Sequence, residues 1–255
     1  ISGAIDPVSD IDIVNIEHAL ADLETVDRRR EKNEKALRSG SKTDMKETAA
    51  QQELLADIRA VLEEGKPARS VADTEEKRKR ISDLHLITMK EQLYVCNVDE
   101  PGISGSNPFL QHVRKKAAAE NAGVLEICGK LEAEIASLED EDEKHAFLEE
   151  AGIEESGLDR LIHESYKLLG LRTFFTTGEK EVRAWTCRNG TKAPEAAGII
   201  HTDFERGFIK AEVYRCEDLF SLGSEQNVRE AGKLRQEGRE YEVQDGDVIR
   251  FKFNV

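Results

Sequence analysis

Ile13, Ile16, Leu20 and Leu23 recur at intervals of three and four residues, and Leu55, Ile58 and Leu62 repeat the pattern further along. Apolar residues at that period share one face of an α-helix. The two runs therefore predict an antiparallel helical hairpin over residues 10–69, with Ser39-Gly40-Ser41 as its turn. Beyond Val26 the seam positions become charged, so the outer half is expected to stand in solvent as an arm with little apolar packing. The middle of the chain changes period. Leu93-Tyr94-Val95-Cys96 is a short apolar strand pattern leading into Asn97-Val98-Asp99-Glu100. Asn107-Pro108 then offers a cap and a first-turn proline for a helix running to about Glu120. Val124 to Cys128 is the next apolar strand, followed by Gly129-Lys130 and a helix from Leu131. Strand, helix, strand in this order demands a parallel pair, with any ligand crevice at the carboxyl ends of the strands.

The last third alternates inward and outward residues from Val182 to Arg188, and Asn189-Gly190 is expected to supply the positive-φ turn that folds one strand onto the next. Pro194 to His201 reads as a short helix, Phe208 to Tyr214 as a strand, and Asp245-Gly246 as a tight turn into a final strand, Val248 to Phe253. Hairpin, helix, strand, turn, strand is the order of a β-grasp sheet wrapped on one helix. Upstream of it, Ser156 to Asp159 reads as a helix start and Gly170 as its stop. His201 at a helix end reads as a capping or core histidine, His18 as an exposed or seam residue, and Trp185 as core in a small sheet. A stacking role for Trp185 on RNA requires that its ring be exposed.

At 255 residues the chain can hold more than one core. Charged residues make up 35% and aromatics 5%, which points to extensive solvated helix surface. No apolar run approaches the roughly 20 residues that span a bilayer, and Ile1 opens no basic-then-apolar leader, so a soluble cytoplasmic protein without membrane contact is expected. Cys96, Cys128, Cys187 and Cys216 show no paired spacing, which favours reduced, mostly buried thiols over a zinc site or disulfide.

The net charge of −15 is uneven. Between Glu132 and Glu155 eleven acids face the single Lys144. By contrast, Arg28, Arg29, Arg30, Lys32, Lys35, Arg38, Lys42 and Lys46 face only Glu31, Glu34 and Asp44, a local balance of plus five on the proposed arm. Such an arm can neutralise nucleic-acid phosphates, with steep salt dependence. A solvated coiled-coil face presents the same run of charge, and the residues alone leave both readings open. Lys77-Arg78-Lys79-Arg80 is a weaker candidate, because Asp73, Glu75 and Glu76 lie just before it.

A P-loop needs a glycine-rich turn, a lysine for the phosphates and a hydroxyl for the magnesium ion. Gly65, Gly129 and Gly232 each precede a lysine, yet none of these pairs is followed by Ser or Thr or has a glycine five residues before it. Asp99-Glu100-Pro101-Gly102 spells a DxxG metal-loop pattern, but it overlaps the Asn-x-x-acid pattern of Asn97 to Glu100, and one loop cannot serve both the base and the metal end of a nucleotide.

A strand ending in Asn-x-x-acid, beside a second strand ending in a small-residue loop, resembles the base-reading half of a GTPase-type nucleotide domain. The fourth residue here is Glu100 instead of the usual aspartate, which accepts two hydrogen bonds from guanine. The Asn-x-x-Glu version resembles that of the Obg-like ATPase family, YchF type, where it accompanies a preference for ATP over GTP. Asp6-Pro7 and SDIDIVNIEHALADLE resemble that family's entry into its helical arm, EEGKPARS its exit, and ESGLDRLI its lead into the last domain. FFTTGEKEVRAWT and IHTDFERGFIKAEV are similar to its C-terminal TGS domain, the β-grasp module named for threonyl-tRNA synthetase, small GTPases and SpoT-type regulators.

The resemblance implies a partial α/β P-loop NTPase domain of GTPase type over residues 1–9 and 70–170. A helical coiled-coil insertion would occupy 10–69, and an α+β TGS domain 171–255. It implies a base pocket of Asn97, Val98, Glu100, Cys128, Gly129 and Lys130, with Cys128 where serine is common. ATP with magnesium would be the cofactor of the intact family, bound weakly at best by this chain, and no residue is assigned as catalytic. The ribosome or its RNA would be the partner. Two function classes follow: a ribosome-associated ATP hydrolase, or a non-enzymatic RNA- or ribosome-binding module using the arm and the TGS domain.

Overall fold

The computed structural model describes residues 5–39, 42–103, 107–178 and 181–254. It divides into two compact units, Ile1–Leu158 and Asp159–Val255.

The first unit opens with two long helices, α1 (Pro7–Ser39) and α2 (Lys42–Glu63). The Asp6 carboxylate accepts the Ser9 amide hydrogen at 3.1 Å, and Pro7 takes the first helical position, where a missing N–H costs nothing. Gly40 and Ser41 of the expected turn lie outside the described residues. Leu55, Ile58 and Leu62 are buried on α2 as their spacing predicts. Of the expected α1 seam only Leu23 packs against the hairpin core. Ile13, Ile16 and Leu20 are 53%, 50% and 57% exposed, and the buried positions are Ala19, Asp22, Val26 and Asn33. These recur at intervals of three, four and seven, which also share one helical face, but two of them are polar, which hid the stripe from an apolar count. Asp22 is drawn inward by three donors: the amides of Ile87 (2.9 Å) and Thr88 (2.8 Å) and the Thr88 hydroxyl (2.7 Å). Rotating α1 to bury Leu20 would pull this carboxylate from its partners.

Beyond Val26 the seam is polar. The Asn33 side-chain amide donates to Gln51 Oε1 at 2.9 Å, and Gln51 donates to the Arg80 carbonyl at 2.6 Å. A third segment flanks the pair, made of short 3-10 turns at Ala68–Ser70, Ser82–Leu84 and Ile87–Met89 around the one-and-a-half-turn α3 (Glu75–Arg80). Thr74 caps α3, and Ala68, Ala72, Ile81 and Leu86 bury themselves in the hairpin core.

After this segment come β1 (Leu93–Asn97), α4 (Glu100–Ile103), α5 (Pro108–Glu120), β2 (Gly123–Ile127), α6 (Gly129–Ser137), α7 (Glu141–Ala151) and the first two residues of α8 (Gly157–Leu168), whose remainder belongs to the second unit. β1 and β2 are parallel, in register from Leu93 opposite Gly123 to Asn97 opposite Ile127. Asn107 caps α5 by accepting the Phe109 amide at 2.9 Å, and Asn121 ends it in the left-handed conformation at φ 54°. Glu132 accepts the amides of Gly157 (2.7 Å) and Leu158 (3.1 Å), so one member of the acidic region caps the start of α8. A polar cluster binds α1 to β1 and α5. Tyr94 donates to Glu120 at 2.6 Å, Lys116 pairs with both Asp12 (2.5 Å) and Glu120 (2.7 Å), and Gln92 donates to Asn15 at 3.2 Å.

The second unit contains β3 (Leu171–Thr177), β4 (Val182–Arg188), α9 (Ala193–Ile200), α10 (Thr202–Arg206), β5 (Phe208–Arg215), α11 (Cys216–Leu222), α12 (Glu225–Glu230), β6 (Arg235–Glu237) and β7 (Asp247–Phe253). Its five strands run in the order β4-β3-β7-β5-β6, with β3 and β7 parallel and the other neighbours antiparallel. Phe174, Val213 and Ile249 face α9, while their chain neighbours Val248 and Tyr214 turn to the other side, against Val228 of α12 and Leu219 of α11. Asn189-Gly190 is not the hairpin turn. Gly190 does take φ 84°, but the chain proceeds into α9, and the antiparallel partner of β4 is the preceding β3. β3 is not among the expected strands, although Gly178 directly after it, whose amide donates to the Glu181 carbonyl at 2.9 Å, is a hairpin signal. Tyr241 donates to the fully buried Asp247 at 2.7 Å, and the arginines Arg215 and Arg235 stand 3.7 and 3.8 Å from its other oxygen. His201 is a cap, its Nδ1 accepting the Asp203 amide at 3.2 Å. Trp185 is half-buried, donates to Thr176 at 2.9 Å, and carries the Arg183 guanidinium 4.2 Å from its ring centre, so that face is already covered.

Candidate nucleotide-base loops and basic helical face

Parallel pairing brings the carboxyl ends of β1 and β2 side by side, and with them the loops 97–100 and 128–130. The Val98 amide donates to the Ile127 carbonyl at 2.8 Å, extending the ladder by one bond. Asn97 does not cap its own turn. Its Oδ1 accepts the Gly129 amide hydrogen at 3.0 Å, so the side chain of one loop holds the first residue of α6 in the other. The second tie is ionic: Lys130 Nζ donates to Glu100 Oε1 at 2.8 Å, with Glu134 at 3.9 Å. Glu100 holds the Lys130 ammonium above the ordinary lysine range. The two side chains are 51% and 70% exposed, so an incoming ligand can reach both.

Asp99 has a local task, accepting the Gly102 amide through its Oδ1 at 3.0 Å, as a turn residue would. Cys128 is buried and its thiol caps nothing at the start of α6. Burial, reinforced by Glu126 and opposed by Arg114, pushes the Cys96 thiol up, away from nucleophilic use. A cleft of about 550 Å³ lies against the end of β1, lined by Val95, Cys96, Asn97, Val98, Asn107 and Phe109 among others. Its lining does not extend to Glu100 or Lys130.

The basic residues of the hairpin separate into two groups. Arg29 pairs with Asp83 at 2.6 Å, and Arg30 lies partly buried beside Asp27 at 3.8 Å. Arg28, Lys32, Lys35, Arg38 and Lys46 are exposed, and the Lys42 side chain lies outside the described residues. Arg28 reaches back to the Glu24 carbonyl and the Thr25 hydroxyl along its own helix. Sequence could not separate these groups, because Asp83 is 54 residues from Arg29. The Lys77 to Arg80 run is largely engaged: Lys77 with Asp73 (2.8 Å), Arg80 with Glu47 (2.7 Å) and Glu76 (3.1 Å). Among the described residues no group of three or more His, Cys, Asp and Glu is arranged to hold a metal ion, and no helix is long and apolar enough to cross a membrane.

Residues 171–254 match the family model YchF-GTPase_C, described as a protein of unknown function. The chain is similar along its whole length to the ribosome-binding ATPase YchF of Bacillus subtilis (strain 168), with 52% identity, covering 69% of that protein. It is 41% identical to Obg-like ATPase 1 of Caenorhabditis elegans, again over all of this chain and 64% of that one. Among solved structures, the Schizosaccharomyces pombe YchF GTPase superposes with a TM-score of 0.84 at 31% identity, over 99% of this chain and 68% of that one. A GTP-binding protein from Pyrococcus horikoshii OT3 shares the fold at a TM-score of 0.60 and 15% identity, over 99% of this chain and 73% of its own length.

Proposed function

The chain belongs to the YchF family of Obg-like ATPases, and on that premise we propose that it is the base-reading and ribosome-contacting part of an ATP hydrolase. The reading rests above all on the tie between the two loops, where Gly129 donates to Asn97 and Lys130 to Glu100 at the carboxyl ends of parallel strands. Asn97, Val98 and Glu100 from one loop, with Cys128, Gly129 and Lys130 from the other, would line the base. Cys128 can offer only its main chain there, since its thiol is buried. ATP is favoured over GTP, because the Gly129 amide and one oxygen of Glu100, groups that would read guanine, already have partners.

The base end of a nucleotide fits these residues, while the phosphate and magnesium end does not. No glycine-rich turn with a following Lys-Ser or Lys-Thr occurs in the sequence. In the intact family, magnesium bound with ATP supplies charge stabilisation at the phosphates. Nothing in this chain is assigned that work, and no residue of it is assigned as catalytic. The helical pair would serve as a coiled-coil arm, the second unit as a TGS-type β-grasp domain, and the ribosome in the cytoplasm as partner.

Titration of labelled ATP and GTP, with magnesium, into this chain and into a form extended upstream of Ile1 tests the reading. Tight binding only in the extended form, with ATP preferred, is expected. Magnesium-dependent turnover by the 255-residue chain alone would overturn the assignment of this part as non-catalytic. A second reading is favoured by the exposed cations Arg28, Lys32, Lys35, Arg38 and Lys46: a ribosome- or RNA-binding module without enzymology. Nucleotide binding by neither form, with ribosome binding intact, would select it.

A further inference from the structure

The two ties between the loops engage one oxygen of Glu100 and the Gly129 amide, two of the groups that a guanine edge would use. Guanine offers two donors, N1–H and the 2-amino group, beside the acceptor O6. Reading it requires a carboxylate with free lone pairs and a nearby donor. Here one carboxylate oxygen of Glu100 accepts from the Lys130 ammonium at 2.8 Å, and the Gly129 amide hydrogen is given to Asn97 at 3.0 Å. Adenine offers an acceptor at N1 and a single amino donor, and makes no claim on a carboxylate for both of its groups.

We propose that Lys130 is a positioning residue for specificity, latching Glu100 so that the base site rejects guanine. The proposal rests on the base-site reading above and adds its discriminating element. Lys130 acts in two ways. It fixes one of the two carboxylate oxygens of Glu100, and it brings a positive charge to where the donor edge of guanine would approach. The ammonium is held firmly protonated by the same contact. Because the pair is exposed, its effect is modest, roughly threefold to fivefold in the preference between bases.

The test uses the 255-residue chain labelled with ¹⁵N, titrated with AMP and with GMP while the Gly129 amide is followed by NMR. The wild-type chain should respond to AMP at lower concentration than to GMP. Lys130→Ala should narrow that ratio by roughly threefold to fivefold, mainly by strengthening GMP, and Lys130→Arg should restore it. In a Glu100→Gln background, Lys130→Ala should leave the ratio where it was. An unchanged ratio in Lys130→Ala, or an equal weakening of both nucleotides, would overturn the latch while leaving the base site standing. No response to either mononucleotide, both in this chain and in a form extended upstream of Ile1, would instead overturn the base site and the latch with it.

Discussion

Replacing Asp22 by alanine should be among the most damaging single changes in the first unit. The carboxylate is 3% exposed and accepts three hydrogen bonds, from the Ile87 amide, the Thr88 amide and the Thr88 hydroxyl, at 2.7 to 2.9 Å. Thr88 passes the connection on, its Oγ1 accepting the Ala68 amide at 3.0 Å. A hydrogen bond to a charged group is worth about 1.5–3 kcal/mol, and a buried donor left unpaired costs about 1–3 kcal/mol. These do not simply add. Ile87 is 40% exposed and water can replace its partner, whereas Thr88 at 7% cannot be rehydrated so readily. The expected loss is therefore about 3–5 kcal/mol, with Asp22→Asn falling at about 2–3 kcal/mol because one acceptor survives. Urea unfolding followed by far-UV circular dichroism, to which α1 and α2 contribute more than any other pair of helices, should show it. With a slope of about 2 kcal/mol per molar, the helical transition should move down by about 2 M. The sole tryptophan, Trp185, lies in the second unit and serves as an internal control whose fluorescence transition should move far less. Thr88→Val combined with Asp22→Ala should cost less than the sum of the two, since both remove one shared bond. A shift below about 0.5 M, equivalent to about 1 kcal/mol, would refute the claim that Asp22 sets the rotation of α1.

The phenol of Tyr241 is pushed up to about 12, first by burial and then by its bond to Asp247. A raised value means the folded state holds the proton longer, so this contribution is complete below about pH 10 and lost as pH rises toward 12. Discounted for its partial exposure, it amounts to about 1–2 kcal/mol, visible as a difference between wild type and Tyr241→Phe in Trp185-monitored denaturation across that range. Reversing Arg28, Lys32 and Arg38 to glutamate should weaken ribosome co-sedimentation and flatten its salt dependence. Arg29→Glu should act mainly on stability, by opposing Asp83 at 2.6 Å; equal effects on sedimentation would contradict the division of the basic face. Gly157→Ala should lower the helical transition by about 1–3 kcal/mol, because a Cβ there would run into Ile127 and Glu132; an unchanged midpoint would show that α8 can shift freely at its start.

Much of the architecture could be read from short stretches of the chain. The α5 cap at Asn107, the strands at Leu93 and Val124, the helix after Ala193 and the final strand after Gly246 each depend on spacing of two to four residues, where propensity and turn chemistry act locally. The lack of a P-loop is likewise a property of local order. Three-dimensional pairing decided the rest. The α1 stripe that faces α2 contains Asp22 and Asn33, polar residues that are buried only because donors and acceptors from 18 and 65 or more residues away meet them. β4 finds its partner in the preceding strand, and Arg29 leaves the phosphate-binding candidates once Asp83 reaches it. At the loops after β1 and β2 the residue types are legible locally, but the bonds from Gly129 to Asn97 and from Lys130 to Glu100 join positions 32 and 30 residues apart. Local periodicity counts apolar side chains; a buried or shared polar group is settled by partners that only the folded chain brings within hydrogen-bonding distance.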